Sequence, residues 1–115
     1  MKFAICVIGL FAIVSPALAA ETTGADLYAA CKGTTGSRND AICQAYINGF
    51  TNGVMMADVA REQSMTICMP DQVSTSDVRD MFKRWAQDHP EALGQPAASF
   101  LGVVLARAYP CKKSN

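Results

Sequence analysis

Four cysteines constrain this chain more than any other feature: Cys31, Cys43, Cys68 and Cys111 are spread through a sequence of 115 residues behind a leader that fixes their redox setting. Lys2 gives a short positive start, Phe3 to Val14 is an almost unbroken apolar run, Pro16 interrupts it, and Ala17-Leu18-Ala19 places small side chains where a signal peptidase cuts. The pattern predicts a signal peptide over 1–19, cleaved after Ala19 or Ala20, and one mature domain over 20–115. The fifth cysteine, Cys6, leaves with the leader and lacks the small-residue pattern of a lipoprotein site. The run is too short for a bilayer, which takes about 20 apolar residues with anchoring flanks. The mature protein is therefore expected to be periplasmic and not membrane-bound, in an oxidising compartment where paired thiols persist as disulfides.

Charge narrows the partners. Lys and Arg number ten, as do Asp and Glu, so loss of Lys2 leaves the mature chain one charge negative. A nearly neutral chain with dispersed charges attracts neither nucleic acid nor an anionic membrane surface. A domain this small is also near the size at which folds need covalent staples.

Helical punctuation divides the mature chain. A short first helix is predicted over about Ala25 to Lys32, with Leu27, Tyr28 and Cys31 at helical spacing and Gly33 as the stop. After Thr34-Thr35-Gly36, the caps in Ser37-Arg38-Asn39-Asp40 open a longer helix from about Asp40 to Glu62. Its inward face reads as Ile42, Tyr46, Gly49, Phe50, Gly53, Met56 or Ala57, and Ala60. Gly49 and Gly53 each cost about 1 kcal/mol in a helix interior, a loss expected to be offset by close approach of another helix.

Ser74-Thr75-Ser76-Asp77 is a capping box for a third helix whose apolar stripe is Val78, Met81, Phe82 and Trp85, with Arg79, Asp80, Lys83 and Arg84 toward solvent. Pro90 ends that helix near Asp88. A fourth begins near Pro96, runs through Ala97, Phe100, Leu101, Val104, Leu105 and Ala108, and closes before Pro110. No segment alternates as a strand does, so the fold class is all-α, a small four-helix domain with two disulfides.

Four cysteines allow three pairings. Cys31 ends the first helix and Cys43 opens the second, and those ends adjoin in a helix hairpin. Cys68 precedes the third helix and Cys111 follows the fourth, and the outer ends of a hairpin also meet. Geometry thus favours Cys31 with Cys43 and Cys68 with Cys111. Zinc is the weaker reading, because the chain has no C-x-x-C knuckle and a single histidine.

Catalytic raw material is sparse. His89, in Asp88-His89-Pro90-Glu91, is the only imidazole, and it reads better as a helix C-terminal residue near the last carbonyls than as a base or ligand. With every mature cysteine bridged, no thiolate nucleophile remains. Met55, Met56, Met65 and Met69 invite a copper site, yet Met55 and Met56 are adjacent and so point to different helix faces, which suits core filling better. The chain is read as a non-enzyme without cofactor or metal. Its polar connections, with Arg61, Glu62 and Gln63 in one and His89 and Glu91 in the other, are the candidate partner-binding residues.

The ordered set of Leu27-Tyr28 before Cys31, Cys43 with Tyr46, Gly49 and Gly53, Cys68-Met69-Pro70, Asp88-His89-Pro90-Glu91, Ala97-Ala98 and Ala108-Tyr109-Pro110-Cys111 covers nearly the whole mature chain. It resembles the Rap1a/Tai family of type VI secretion immunity proteins. The resemblance implies a small helical periplasmic inhibitor, often a homodimer, that binds a peptidoglycan amidase effector and blocks its cleft. The matched residues are scaffold, and no binding site carries over with them. An alternative of another class is an acid-stress chaperone that holds unfolded clients on apolar helix faces. A small metal or ligand carrier ranks third.

Overall fold

The computed structural model describes residues 20–60 and 66–112, without the side chains of 58–60. The predicted signal peptide, Met65, and Arg61, Glu62 and Gln63 lie outside the described residues. Four helices follow one another: α1 (Gly24–Cys31), α2 (Arg38–Ala60), α3 (Thr75–Asp88) and α4 (Ala97–Ala108), with a 3-10 turn at Pro90–Gly94 between the last two. The architecture is all-α. Among the described residues β-pairing is confined to two isolated bridges, Thr23 with Pro96 and Ile67 with Pro110.

The same local chemistry starts three of the helices. Thr23 and Asp26 form a reciprocal capping box on α1, and Ser74 and Asp77 form one on α3. On α2, Ser37 Oγ accepts the Asp40 N–H at 3.1 Å, while the Asp40 carboxylate reaches back one residue further, to the Gly36 N–H at 2.8 Å. Gly36 has φ of 83°, the left-handed conformation that glycine adopts without strain. The turn therefore aims its amide at Asp40, and the carboxylate also accepts from Gln44 Nε2 at 3.0 Å. Asp40 is buried, and Arg79 on α3 donates to its other oxygen at 3.1 Å. Arg79, expected to face solvent, instead ties α3 to the start of α2.

Leu27, Ile47, Val78, Phe82, Leu101 and Leu105 fill the centre of the core. Burying Phe82 completely stabilises by about 1.5–3 kcal/mol over leaving it exposed. The predicted stripes of α3 and α4 hold, with Ala86 added and Ala108 on the surface.

The predicted inward face of α2 is displaced by one position. Cys43 and Ile47 are buried, Tyr46, Phe50 and Val54 are half-buried, and Ile42 is 48% exposed. Successive residues of a helix are turned by about 100°, so a helix that points Cys43 at Cys31 and Asp40 at Arg79 must turn Ile42 outward. Gly49 and Gly53 are also outside, and a β-carbon built at either meets nothing within 4 Å. Among the described residues no helix approaches them, contrary to the expectation. Met55 and Met56 are 46% and 69% exposed and do not fill the core.

Both disulfides form as geometry favoured. Cys31–Cys43, with a sequence separation of 12, lies inside the core; Cys68–Cys111, with a separation of 43, lies at the surface. Loop closure alone predicts about 3 kcal/mol for the first and about 4 kcal/mol for the second. Beside the outer bridge the Cys68 N–H donates to Tyr109 O at 2.8 Å, so backbone and sulfur fasten the same two strands of chain.

Candidate partner-binding surface

The C-terminal half of α3 carries the densest aromatic cluster. Trp85 meets Phe100 of α4 edge-on at 4.7 Å, and Phe100 meets Phe82 edge-on at 5.0 Å. These contacts fix Trp85 in a half-buried position, so its indole is at once wall and surface. The His89 ring tilts against the indole at 4.0 Å, and the Arg107 guanidinium of α4 lies over it at 5.8 Å.

His89 is the C-cap of α3, and its N–H donates to Trp85 O at 2.9 Å. Proline at position 90 then starts the 3-10 turn, which brings Glu91 back toward the cap, so that His89 Nδ1 lies 3.3 Å from Glu91 Oε1. The imidazole thus engages an aromatic ring and a carboxylate, where the sequence suggested helix carbonyls. The structure brings together His89 and Glu91 of the five predicted partner-binding residues. Glu91 is 72% exposed, so the pair presents charge to solvent at the tip of the α3–α4 connection.

That tip is rigidly seated. Gly24 opens α1 directly beneath the turn, where a β-carbon would meet Phe100 at 3.2 Å and Leu93 O at 3.3 Å. Thr22 O accepts the Ala97 N–H and the Gly24 N–H donates to Gln95 O, both at 2.8 Å. The N-terminal segment therefore straps the connection from both sides.

Beside the tip runs an open groove of about 360 Å³, lined by Met81, Arg84, Trp85 and Asp88 of α3 and by Val104, Arg107 and Ala108 of α4. Sequence reasoning placed Trp85 in the core and Arg84 toward solvent, and named Arg107 in no role. The available signal was the spacing Trp85, Asp88, His89, which puts the tip residues one turn from the indole on the same helix face.

A second exposed surface is the outside of α2, where Ile42, Ala45, Gly49, Gly53 and Met56 follow one another. Ala41 to Ala57 contains no charged residue. Among the described residues no group of three His, Cys, Asp or Glu side chains is placed to hold a metal ion.

A model of the Rap1a immunity proteins matches residues 23–111. Those limits are the N-cap of α1 and the second cysteine of the outer bridge. No curated protein and no solved structure matches the chain.

Proposed function

The chain belongs to the Rap1a immunity protein family, and from that premise we propose that it is a periplasmic inhibitor which binds a peptidoglycan amidase effector of type VI secretion and occludes its catalytic cleft. The family match carries this reading. It agrees with two disulfides, which fit an oxidising compartment, and with a described region in which no helix is long and apolar enough to cross a membrane. In this reading the leader over 1–19 is a signal peptide that delivers the domain to the periplasm.

An inhibitor needs a firm projection on a stable body. The strapped turn carrying His89 and Glu91 supplies one, and its polar side chains suit a cleft lined with polar groups. The outer face of α2 has a different use. Uncharged and with its glycines open, it suits close packing of a second copy across a two-fold axis, with Ile42 of one protomer beside Met56 of the other. The working unit is then a homodimer that leaves both tips accessible.

The test is a titration of the mature, oxidised protein against purified peptidoglycan amidase effectors of type VI secretion. Stoichiometric loss of peptidoglycan hydrolysis, with Kd below about 1 µM, is expected. Full hydrolysis at saturating protein would overturn the proposal, and suppression of client aggregation at low pH in its place would favour the chaperone alternative. Sedimentation of the Ile42→Asp, Met56→Asp variant as a monomer would support the two-fold contact; an unchanged sedimentation coefficient would refute it.

A further inference from the structure

Among the described residues neither Arg84 nor Arg107 is ion-paired with a carboxylate, although Asp88 lines the same groove. Exposed arginines without partners are ordinary. These two differ in their setting, because one lies over the Trp85 ring and both border a groove with Met81, Val104 and Ala108 as apolar walls. A guanidinium held over an aromatic face is attracted by the ring while its in-plane N–H groups stay free, which is an arrangement that can receive a carboxylate.

We propose that this groove receives an acidic segment of the effector. An Asp or Glu carboxylate of the partner sits between Arg84 and Arg107, and a neighbouring aliphatic or aromatic side chain packs on Trp85, Met81 and Ala108. The assignment rests on the immunity reading and adds to it the chemistry of the contact. Charge selects the occupant, since two guanidiniums outweigh the single Asp88 carboxylate. A second copy docking through α2 brings no carboxylate, because that face is uncharged from Ala41 to Ala57. Continuity also supports it: the indole that floors the groove is the ring against which His89 tilts, so groove and tip form one surface. Asp88 then opposes the occupant, and as the last residue of α3 it also opposes the helix dipole.

Trp85 is the only tryptophan, so its emission reports on this groove alone. The intact oxidised protein is titrated with the blocked peptide acetyl-Glu-Leu-Asp-Phe-Glu-amide and with its analogue carrying Lys for each acid. A saturable change in emission is expected with the acidic peptide only, weakening as salt is raised. Replacing both arginines (Arg84→Gln, Arg107→Gln) should weaken binding about tenfold or more, whereas Asp88→Asn should tighten it, with melting temperatures kept within a few degrees. Equal binding of the Lys peptide, retention within about twofold by the double variant, or weaker binding by Asp88→Asn would each overturn the proposal.

A second arm uses the amidase and the charge-reversed pair Arg84→Glu, Arg107→Glu. Undiminished affinity of that variant would sink the groove assignment while leaving the inhibitor reading intact. Binding of the acidic peptide by a wild-type protein that binds no amidase would sink the inhibitor reading, and with it the identity of the occupant, while the groove's preference for acids would stand.

Discussion

The two faces of α2 do opposite things although, beyond Asp40, both draw on the same uncharged run from Ala41 to Ala57. Inside, Asp40, Cys43 and Ile47 are each tied to another element by an ion pair, a disulfide or core contact. Outside, Ile42 and Met56 are exposed, and a β-carbon at Gly49 or Gly53 would meet nothing among the described residues. Apolar character did not decide which face turned inward, since isoleucine stands on both. The residues with a directional partner decided it, and the hydrophobic residues followed.

That contrast can be broken most forcefully at the two isoleucines. Ile47→Ala should cost about 3 kcal/mol or more in urea denaturation, because the site is fully buried and leaves a cavity. Ile42→Ala should change the monomer's stability by less than about 0.5 kcal/mol. Comparable losses at both positions would mean that the faces are not distinct. The glycines come next. Gly33→Ala should destabilise by about 1–3 kcal/mol, since its β-carbon would lie 2.7 Å from Asn39 Cβ and 2.9 Å from Ser37 Oγ at the turn entering α2. On the open face, Gly49→Ala should raise the monomer's stability by about 1 kcal/mol through helix propensity alone, read from the urea midpoint.

The smallest expected effect is on the acid limb of stability. Asp40 is held below the usual carboxylate range chiefly by the Gly36 N–H, then by Gln44, with Arg79 adding to it. Asp26 and Asp77 shift the same way, through Thr23 and Ser74. A carboxyl with a lowered folded pKa stabilises above its unfolded value, about 3.9, and loses that contribution as pH falls through the folded one. Thermal melting should therefore be flat near neutrality and decline below about pH 4. Asp40→Asn should lower the neutral melting temperature and make that decline shallower, whereas an equally steep decline would remove Asp40 from the account.

Much of this architecture was legible because it rests on local signals. The Ser74–Asp77 box, the prolines at 90, 96 and 110, and the stripe from Val78 to Trp85 needed no tertiary knowledge. The key to the rotation of α2 was present: Ile42 lies about 100° round the helix from Cys43, so a face centred on Cys43 and Ile47 carries Ile42 outward. The disulfide should have taken precedence over the apolar repeat. Arg79 and Arg107 were hidden for another reason. Each is one of several charged or polar positions on an amphipathic helix, and only the approach of α2 or α3 distinguishes it from a solvated neighbour. His89 and Glu91 were found because a proline and a lone histidine mark a helix end, while the indole beside them was credited wholly to the core.

The central claim is that the effector is held by the α3–α4 tip and its groove, and that the outer face of α2 serves other contacts. Hydrogen exchange on the mature protein, alone and saturated with its amidase, tests this most directly. The account predicts new protection across Trp85 to Gly94 and Val104 to Ala108, with Ile42 to Met56 unchanged. Protection confined to α2, with the tip exchanging as in the free protein, would contradict it.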